Sequence, residues 1–188
     1  MDVKAIFISR PEKNQKKFYN GKYKAHIVKI QVVVNNKGIP MDIRGLYPGT
    51  KHDITIWKHS ALDLEGSRLF ADNAYVGVPN SVLLTPFKHA SLYDSINGKR
   101  RKTSLRFTRF ERQWNRVHRR WRSRVEHYIG FLSRFRIVGS KFRGKRIMES
   151  DLLPSAIKIL SNLDAWYLSE HSFRPIPSVA WFPVPPSH

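Results

Sequence analysis

Along the first half of the chain the apolar positions come in short bursts with the spacing of strands. Residues 3–8 form a short, partly alternating run (Val3, Ala5, Ile6, Phe7, Ile8). A polar stretch rich in Lys and Asn follows and closes on Tyr19-Asn20-Gly21-Lys22, a turn signal. His26 to Val34 (HIVKIQVVV) is β-branched and nearly continuous, which predicts a central strand covered on both faces. Asn36-Lys37-Gly38 turns the chain into a third strand, Ile39 to Leu46, ended by Tyr47-Pro48-Gly49. Asp53 stands where it would cap a short helix carrying Ile54, Ile56, Trp57 and Leu62, and that helix crosses over to a fourth strand, Arg68 to Ala71. Pro79 and Pro86 flank one more candidate strand, Ser81 to Leu84.

Beyond Thr108 the period changes to that of a helix. Phe110, Trp114, Val117, Trp121, Val125, Tyr128 and Leu132 recur at steps of three and four, so they share one face of a long helix. Gly139 to Gly144 reads as a loop, and Ser150-Asp151 as the cap of a last helix with Leu153, Ile157, Leu160, Leu163 and Tyr167 facing the sheet. From Phe173 onward the chain holds five of its 11 prolines and no charge after Arg174, so residues 1–170 are expected to form one domain and 171–188 a Pro-rich tail. Three antiparallel strands, a crossover helix, further short strands and covering helices predict an α/β layer fold. The ribonuclease-H-like mixed sheet has this order.

Composition supports a packed core: 41% of the 188 residues are apolar and 12% aromatic. The charge adds a partner. The net charge is +20, and the 48 residues from Lys99 to Arg146 carry 18 Lys/Arg against two acids, Glu111 and Glu126. Most of these cations are Arg, whose planar fork suits bidentate contact with phosphate, so a polyanion, DNA first, is the expected partner. Arg100, Arg101, Lys102, Arg119, Arg120, Arg122 and Arg143 are the candidate contacts. Phe107, Phe110, Trp114 and Trp121 lie among them and suit either stacking on bases or the buried face of the helix. The chain has no Cys, which excludes disulfides, thiolate zinc sites and cysteine nucleophiles. No apolar run approaches the ~20 residues of a membrane span and no signal-peptide pattern opens the chain, so the expected setting is the cytoplasm, or the nucleus of a eukaryote.

Chemistry is then left to carboxylates at strand ends and helix flanks. Asp2 heads the first strand, Asp72 follows the fourth in Phe70-Ala71-Asp72-Asn73-Ala74-Tyr75, and Glu126 lies at the border of the long helix's apolar face. Three acids from separate elements suit Mg²⁺ or Mn²⁺, and two such ions about 3.5–4 Å apart can serve an in-line phosphodiester displacement. Each acid also has a plain alternative: a fraying terminus for Asp2, a turn former for Asp72, an intrahelical partner of Arg122 for Glu126.

The chain resembles the catalytic domain of DDE transposases of the PIF/Harbinger type and related bacterial insertion-sequence transposases. The matching stretches are Arg10-Pro11, Lys17-Phe18-Tyr19-Asn20-Gly21-Lys22 with His26 and Gln31, Tyr47-Pro48-Gly49-Thr50-Lys51-His52-Asp53, and Ala71-Asp72-Asn73-Ala74-Tyr75-Val76-Gly77. Thr85-Pro86-Phe87-Lys88, Arg124-Val125-Glu126-His127-Tyr128-Ile129-Gly130 and Phe135-Arg136-Ile137 complete them. The resemblance implies a ribonuclease-H-like fold in which Asp2, Asp72 and Glu126 hold two divalent ions, Mg or Mn. It also implies DNA strand cleavage by water followed by attack of the freed 3′-OH on target DNA. His52-Asp53 matches the family's His-Asp pair and is read as support: Asp53 caps the helix while His52 orients the loop near the site. Val3 and Lys4 follow Asp2 where the family's first motif has Asp-Gly-Thr, and no helix-turn-helix region precedes it. A truncated catalytic domain with a shortened first strand and a weakly held Asp2 is therefore expected, served by a separate DNA-reading partner or an oligomer. The competing reading is a catalytically inactive derivative that keeps the Lys99 to Arg146 segment as a basic DNA-binding module.

Overall fold

The computed structural model describes residues 1–60, 68–76, 78, 82–88, 91–94, 99–102, 107–144 and 152–170. The chain runs through β1 (Asp2–Phe7), α1 (Gln15–Phe18), β2 (Tyr19–Asn20), β3 (Ala25–Val34), β4 (Pro40–Pro48) and α2 (Asp53–His59). It continues through β5 (Leu69–Phe70), a 3-10 turn (Asn73–Tyr75), β6 (Leu83–Leu84), β7 (Ser91–Asp94), β8 (Lys99–Lys102), α3 (Arg109–Leu132), α4 (Arg136–Gly139) and α5 (Leu152–Glu170). This is a mixed α/β arrangement with antiparallel and parallel pairings.

β3 is the centre of a four-stranded sheet and pairs antiparallel with β1, β2 and β4. Its two-residue period places Val28, Ile30 and Val32 on one face, packed with Ile6, Val125, Tyr128, Leu132, Leu153 and Ile157. Val33, on the other face, joins Met1, Ala71, Tyr75 and Leu83 in a second core with Val3 and Trp57 against it. Both faces are covered, which is what a nearly unbroken apolar strand needs. β1 is fully paired, with Asp2 opposite Val32 and Phe7 opposite Ile27. Six residues of β1 pair, and Met1 at their start is buried.

Two glycines explain local turns of this sheet. Between the pairs Lys29/Tyr47 and Gln31/Arg44, β4 carries one residue more than β3, and Gly45 accommodates the bulge with φ of 96°. At Gly49 a Cβ would stand 2.5 Å from the Phe18 carbonyl and 2.7 Å from that of Ile27, so the Tyr47-Pro48-Gly49 turn packs backbone on backbone.

β5 and β6 form a separate parallel pair, Leu69 opposite Leu83 and Phe70 opposite Leu84. The bond tying β5 to β1 runs from the Met1 nitrogen to the Phe70 carbonyl, 2.6 Å. α3 begins with a capping box: the Thr108 hydroxyl accepts from the Glu111 N–H (3.2 Å) and the Glu111 carboxylate accepts from the Thr108 N–H (2.6 Å). Trp114, Val125, Tyr128 and Leu132 of its predicted face are buried, while Phe110 at the start is exposed and meets Phe87 edge-on. Trp114 is within the core and Trp121 stacks on Phe70 at 5.4 Å, so both indoles are used inside the fold.

Three local expectations change. Asp53 does not cap α2: His52 is the N-cap residue, without a side-chain cap bond, and the Asp53 carboxylate turns to Lys29 Nζ at 3.0 Å. Residues 139–144 are not a free loop, because the Phe142 N–H donates to the Phe7 carbonyl (2.8 Å) and the Phe142 carbonyl accepts from the Ser9 N–H (2.9 Å). Lys99 to Lys102, read only as charge, forms a hairpin with Ser91 to Asp94. Leu62, the Ser150-Asp151 cap and the tail 171–188 lie outside the described residues. Among the described residues no helix is long and apolar enough to cross a membrane.

Candidate active site

Three elements deliver one carboxylate each to the same place. Asp2 sits at the head of β1, where its Oδ1 accepts from the Val3 N–H at 2.8 Å. Asp72 follows β5 and caps the 3-10 turn, its Oδ1 accepting from the Asn73 N–H at 2.6 Å. Glu126 projects from the second half of α3. The guanidinium of Arg122, one turn earlier on the same helix, lies between all three. Its Nη2 stands 3.1 Å from Asp2 Oδ2 and 3.0 Å from Glu126 Oε1, and its Nη1 3.3 Å from Asp72 Oδ1.

The side chains differ in exposure, at 23% for Asp2, 41% for Asp72, 53% for Glu126 and 19% for Arg122. Asp2, expected to be the most displaced of the three acids, is the most enclosed. One monovalent cation among three carboxylates leaves two formal negative charges over, and the buried Arg122 Nε has no hydrogen-bond partner among the described residues. Arg122 was expected both as a DNA contact and as the intrahelical partner of Glu126; the pair with Glu126 forms, and the same guanidinium also reaches Asp2 and Asp72 on other elements, which a count of charges does not reveal.

The inward face of α3 just before Arg122 is lined with polar hooks. Trp114 Nε1 donates to the Thr85 carbonyl at 3.0 Å. The Asn115 amide grips Phe87 from both sides, accepting from its N–H (2.8 Å) and donating to its carbonyl (3.2 Å). His118 Nε2 lies 3.0 Å from the Ala71 carbonyl and 3.1 Å from that of Leu84. Two acceptors require that Nε2 carry the proton, so one imidazole N–H joins the ends of β5 and β6 immediately before Asp72. Burial lowers the His118 pKa to about 4, which keeps the ring neutral near pH 7. A lone polar residue one turn from Trp114 on an otherwise apolar stripe is the signal that would have found it. Close to Asp2 and Asp72, the buried Tyr75 hydroxyl has no hydrogen-bond partner among the described residues. Burial, reinforced by Asp53, Asp2 and Asp72, pushes its phenol far above the ordinary range.

His52 and Asp53 lie on the other side of β1. The Asp53 carboxylate is held by Lys29 Nζ, which also donates to the Lys51 carbonyl at 2.6 Å. His52 is exposed and lines, with Asp53, Val3 and Ala74, a cavity of about 490 Å³.

Residues 1–162 match the family described as DDE superfamily endonuclease. The chain belongs to this family. It is also 31% identical over 148 residues to a protein of Microchaete diplosiphon described as a probable transposase for insertion sequence element IS702. That match covers 77% of the chain and 49% of the relative, so the chain spans about half the length of the curated relative it matches. No solved structure matches the chain.

DDE endonucleases use divalent metals, and the donors here suit a hard ion: all are carboxylate oxygens, and their charge exceeds that of Arg122 by two. Among the described residues no group of three such side chains forms a ready-made metal site. The guanidinium takes up the space between the acids, so an ion shared by all three requires Arg122 to withdraw. Of the remaining basic candidates in this chain, Arg119 and Arg120 are exposed on α3 and Arg143 is exposed beyond α4. Arg100, Arg101 and Lys102 lie on β8, with side chains outside the described set.

Proposed function

We propose that residues 1–170 are the catalytic domain of a DNA-cleaving and strand-transferring transposase on a ribonuclease-H-like scaffold. Asp2, Asp72 and Glu126 are its metal-holding acids. One observation carries this reading: acids from β1, the turn after β5, and α3 meet around a single cationic group. When bound, divalent Mg or Mn supplies Lewis acidity for in-line displacement at a phosphodiester. The chain's own groups do the rest. His118 holds the strand ends that carry Asp72, the Val3 N–H orients the Asp2 carboxylate, and Arg119, Arg120 and Arg143 draw in the DNA backbone. Sequence recognition is left to a further segment or a separate partner. The likeness to an insertion-sequence transposase supports the mobile-element setting.

Supercoiled plasmid tests the reading. Nicking should require Mg²⁺ or Mn²⁺, and Asp72→Ala or Glu126→Ala should abolish both nicking and the metal-induced rise in melting temperature. That rise corresponds to about 2.7 kcal/mol at an ion concentration 100 times the dissociation constant. Plasmid that stays intact while DNA is bound tightly, with no thermal response to metal, would instead favour the inactive DNA-binding derivative.

A further inference from the structure

The cavity on the far side of β1 from α3 has the chemistry of a nucleotide site. At about 490 Å³ it falls in the range of pockets that hold one small ligand. Its apolar lining is Val3, Ala5, Ile54 and Ala74. Its rim carries Lys22, Tyr23 and His52. The cavity is lined by Val3, the residue after Asp2, and by Ala74, two residues after Asp72, so the backbone segments that carry these acids also form part of its wall.

The rim is built rather than incidental. Asn20 Oδ1 accepts from the N–H groups of Lys22 (3.0 Å) and Tyr23 (3.4 Å), while its Nδ2 donates to the Gly49 carbonyl (2.6 Å). Lys24, in the left-handed region at φ 49°, returns the chain into β3. This turn holds out Tyr23, 41% exposed, whose ring is set edge-on to Phe7 at 5.7 Å. Lys22 Nζ hovers 5.5 Å from the Tyr23 ring centroid. The Lys29 charge inside the cavity is matched by Asp53, which leaves Lys22 as the cation facing incoming anions. An aromatic ring, an ammonium beside it and apolar lining suit an unstacked base with its phosphate.

We propose that this cavity receives a single unpaired nucleotide at the end of a DNA strand, its base against Tyr23 and its phosphate toward Lys22. The inference rests on the DNA-cleaving reading above and names how that site would seat a strand end.

The test uses the full chain in metal-free buffer with short duplexes carrying one unpaired 2-aminopurine at the 3′ or the 5′ end, compared with the blunt duplex. One overhang should bind about 5- to 150-fold more tightly than the blunt end, the range expected for one base stacked on an aromatic side chain. Its fluorescence should be quenched on binding. Tyr23→Ala should erase preference and quenching, Tyr23→Phe should keep both, and Lys22→Gln should weaken overhang binding alone. Equal binding of overhangs and blunt duplex would overturn the proposal. So would a preference that survives Tyr23→Ala, or free 2-aminopurine nucleotide binding as tightly as the overhang. Blunt-duplex affinity and the metal-induced thermal shift report separately on the underlying reading. If both persist while the preference is absent, only the cavity assignment falls; if both are missing in the wild type, the reading itself falls.

Discussion

The two halves of α3 meet the rest of the molecule through different chemistry. From residue 109 to 122 the inward side chains are polar at their tips: Trp114, Asn115, His118 and Arg122 reach carbonyls, an amide and carboxylates of other elements. From residue 123 to 132 the inward side chains Val125, Tyr128 and Leu132 are buried against β1 and β3. Apolar contact is tolerant of small shifts, whereas a hydrogen bond loses its value within a few tenths of an ångström. The second half fixes the helix on the sheet, and the first half uses that fixed axis to set the position of Asp72 relative to Asp2.

The contrast can be broken from either side. Leu132→Ala, in the apolar half, should cost about 2–5 kcal/mol in urea unfolding through lost burial and a cavity. The surviving folded fraction should keep the thermal response to Mg²⁺. A comparable loss of that response at temperatures where the variant is folded would show that the halves are not separable.

In the polar half, His118→Phe should cost about 1–3 kcal/mol by leaving the Ala71 and Leu84 carbonyls without their donor. The pH profile sharpens this. His118 has a native pKa of about 4 against about 6.5 unfolded, so the unfolded chain binds more protons between these values. Stability should therefore be level above about pH 6.5 and fall as the pH drops toward 4. His118→Phe should flatten that fall, as measured by thermal melts across the same window; an unchanged slope would remove His118 from the account.

Arg122→Gln removes the counter-charge of three acids. In metal-free buffer it should lower stability by about 1 kcal/mol, as befits partly exposed pairs. Its melting temperature should then rise more with Mg²⁺ than that of the wild type, because the ion no longer displaces a resident cation. A smaller rise would mean that Arg122 assists the ion instead of occupying its place. Smallest of all in stability is Arg119→Gln with Arg120→Gln on the outer face, which should leave melting unchanged. The slope of log affinity against log salt for duplex DNA should fall by about 2.

Much of the scaffold was legible from periodicity. The run from His26 to Val34, the turn at Asn36-Lys37-Gly38 and the spacing from Trp114 to Leu132 carry strong local signals, and β3, β4 and α3 lie there. The hairpin of β7 and β8 was missed because Lys99-Arg100-Arg101-Lys102 has no apolar alternation to betray a strand. Asp53 failed as a cap because Lys29, 24 residues away, competes for its carboxylate. Within the candidate site, strand-end and helix-flank reasoning picked out three acids, but the inward turn of Arg122 and the bond from His118 depend on which flank of α3 faces β5. Such directions arise from tertiary packing and leave no trace in composition or charge count.

The ion pair between Arg122 and Asp2 joins residues 120 positions apart in the chain. Closing so long a loop is entropically costly and comes late in folding, after local helices and hairpins have formed. During synthesis β1 must wait for the first half of α3 before Asp2 acquires its partner. A nascent chain stopped between Asp72 and Arg122 therefore carries two of the acids and the four-stranded sheet without the assembled site, so the grouping of carboxylates itself reports that the polypeptide has been made and folded past the middle of its longest helix.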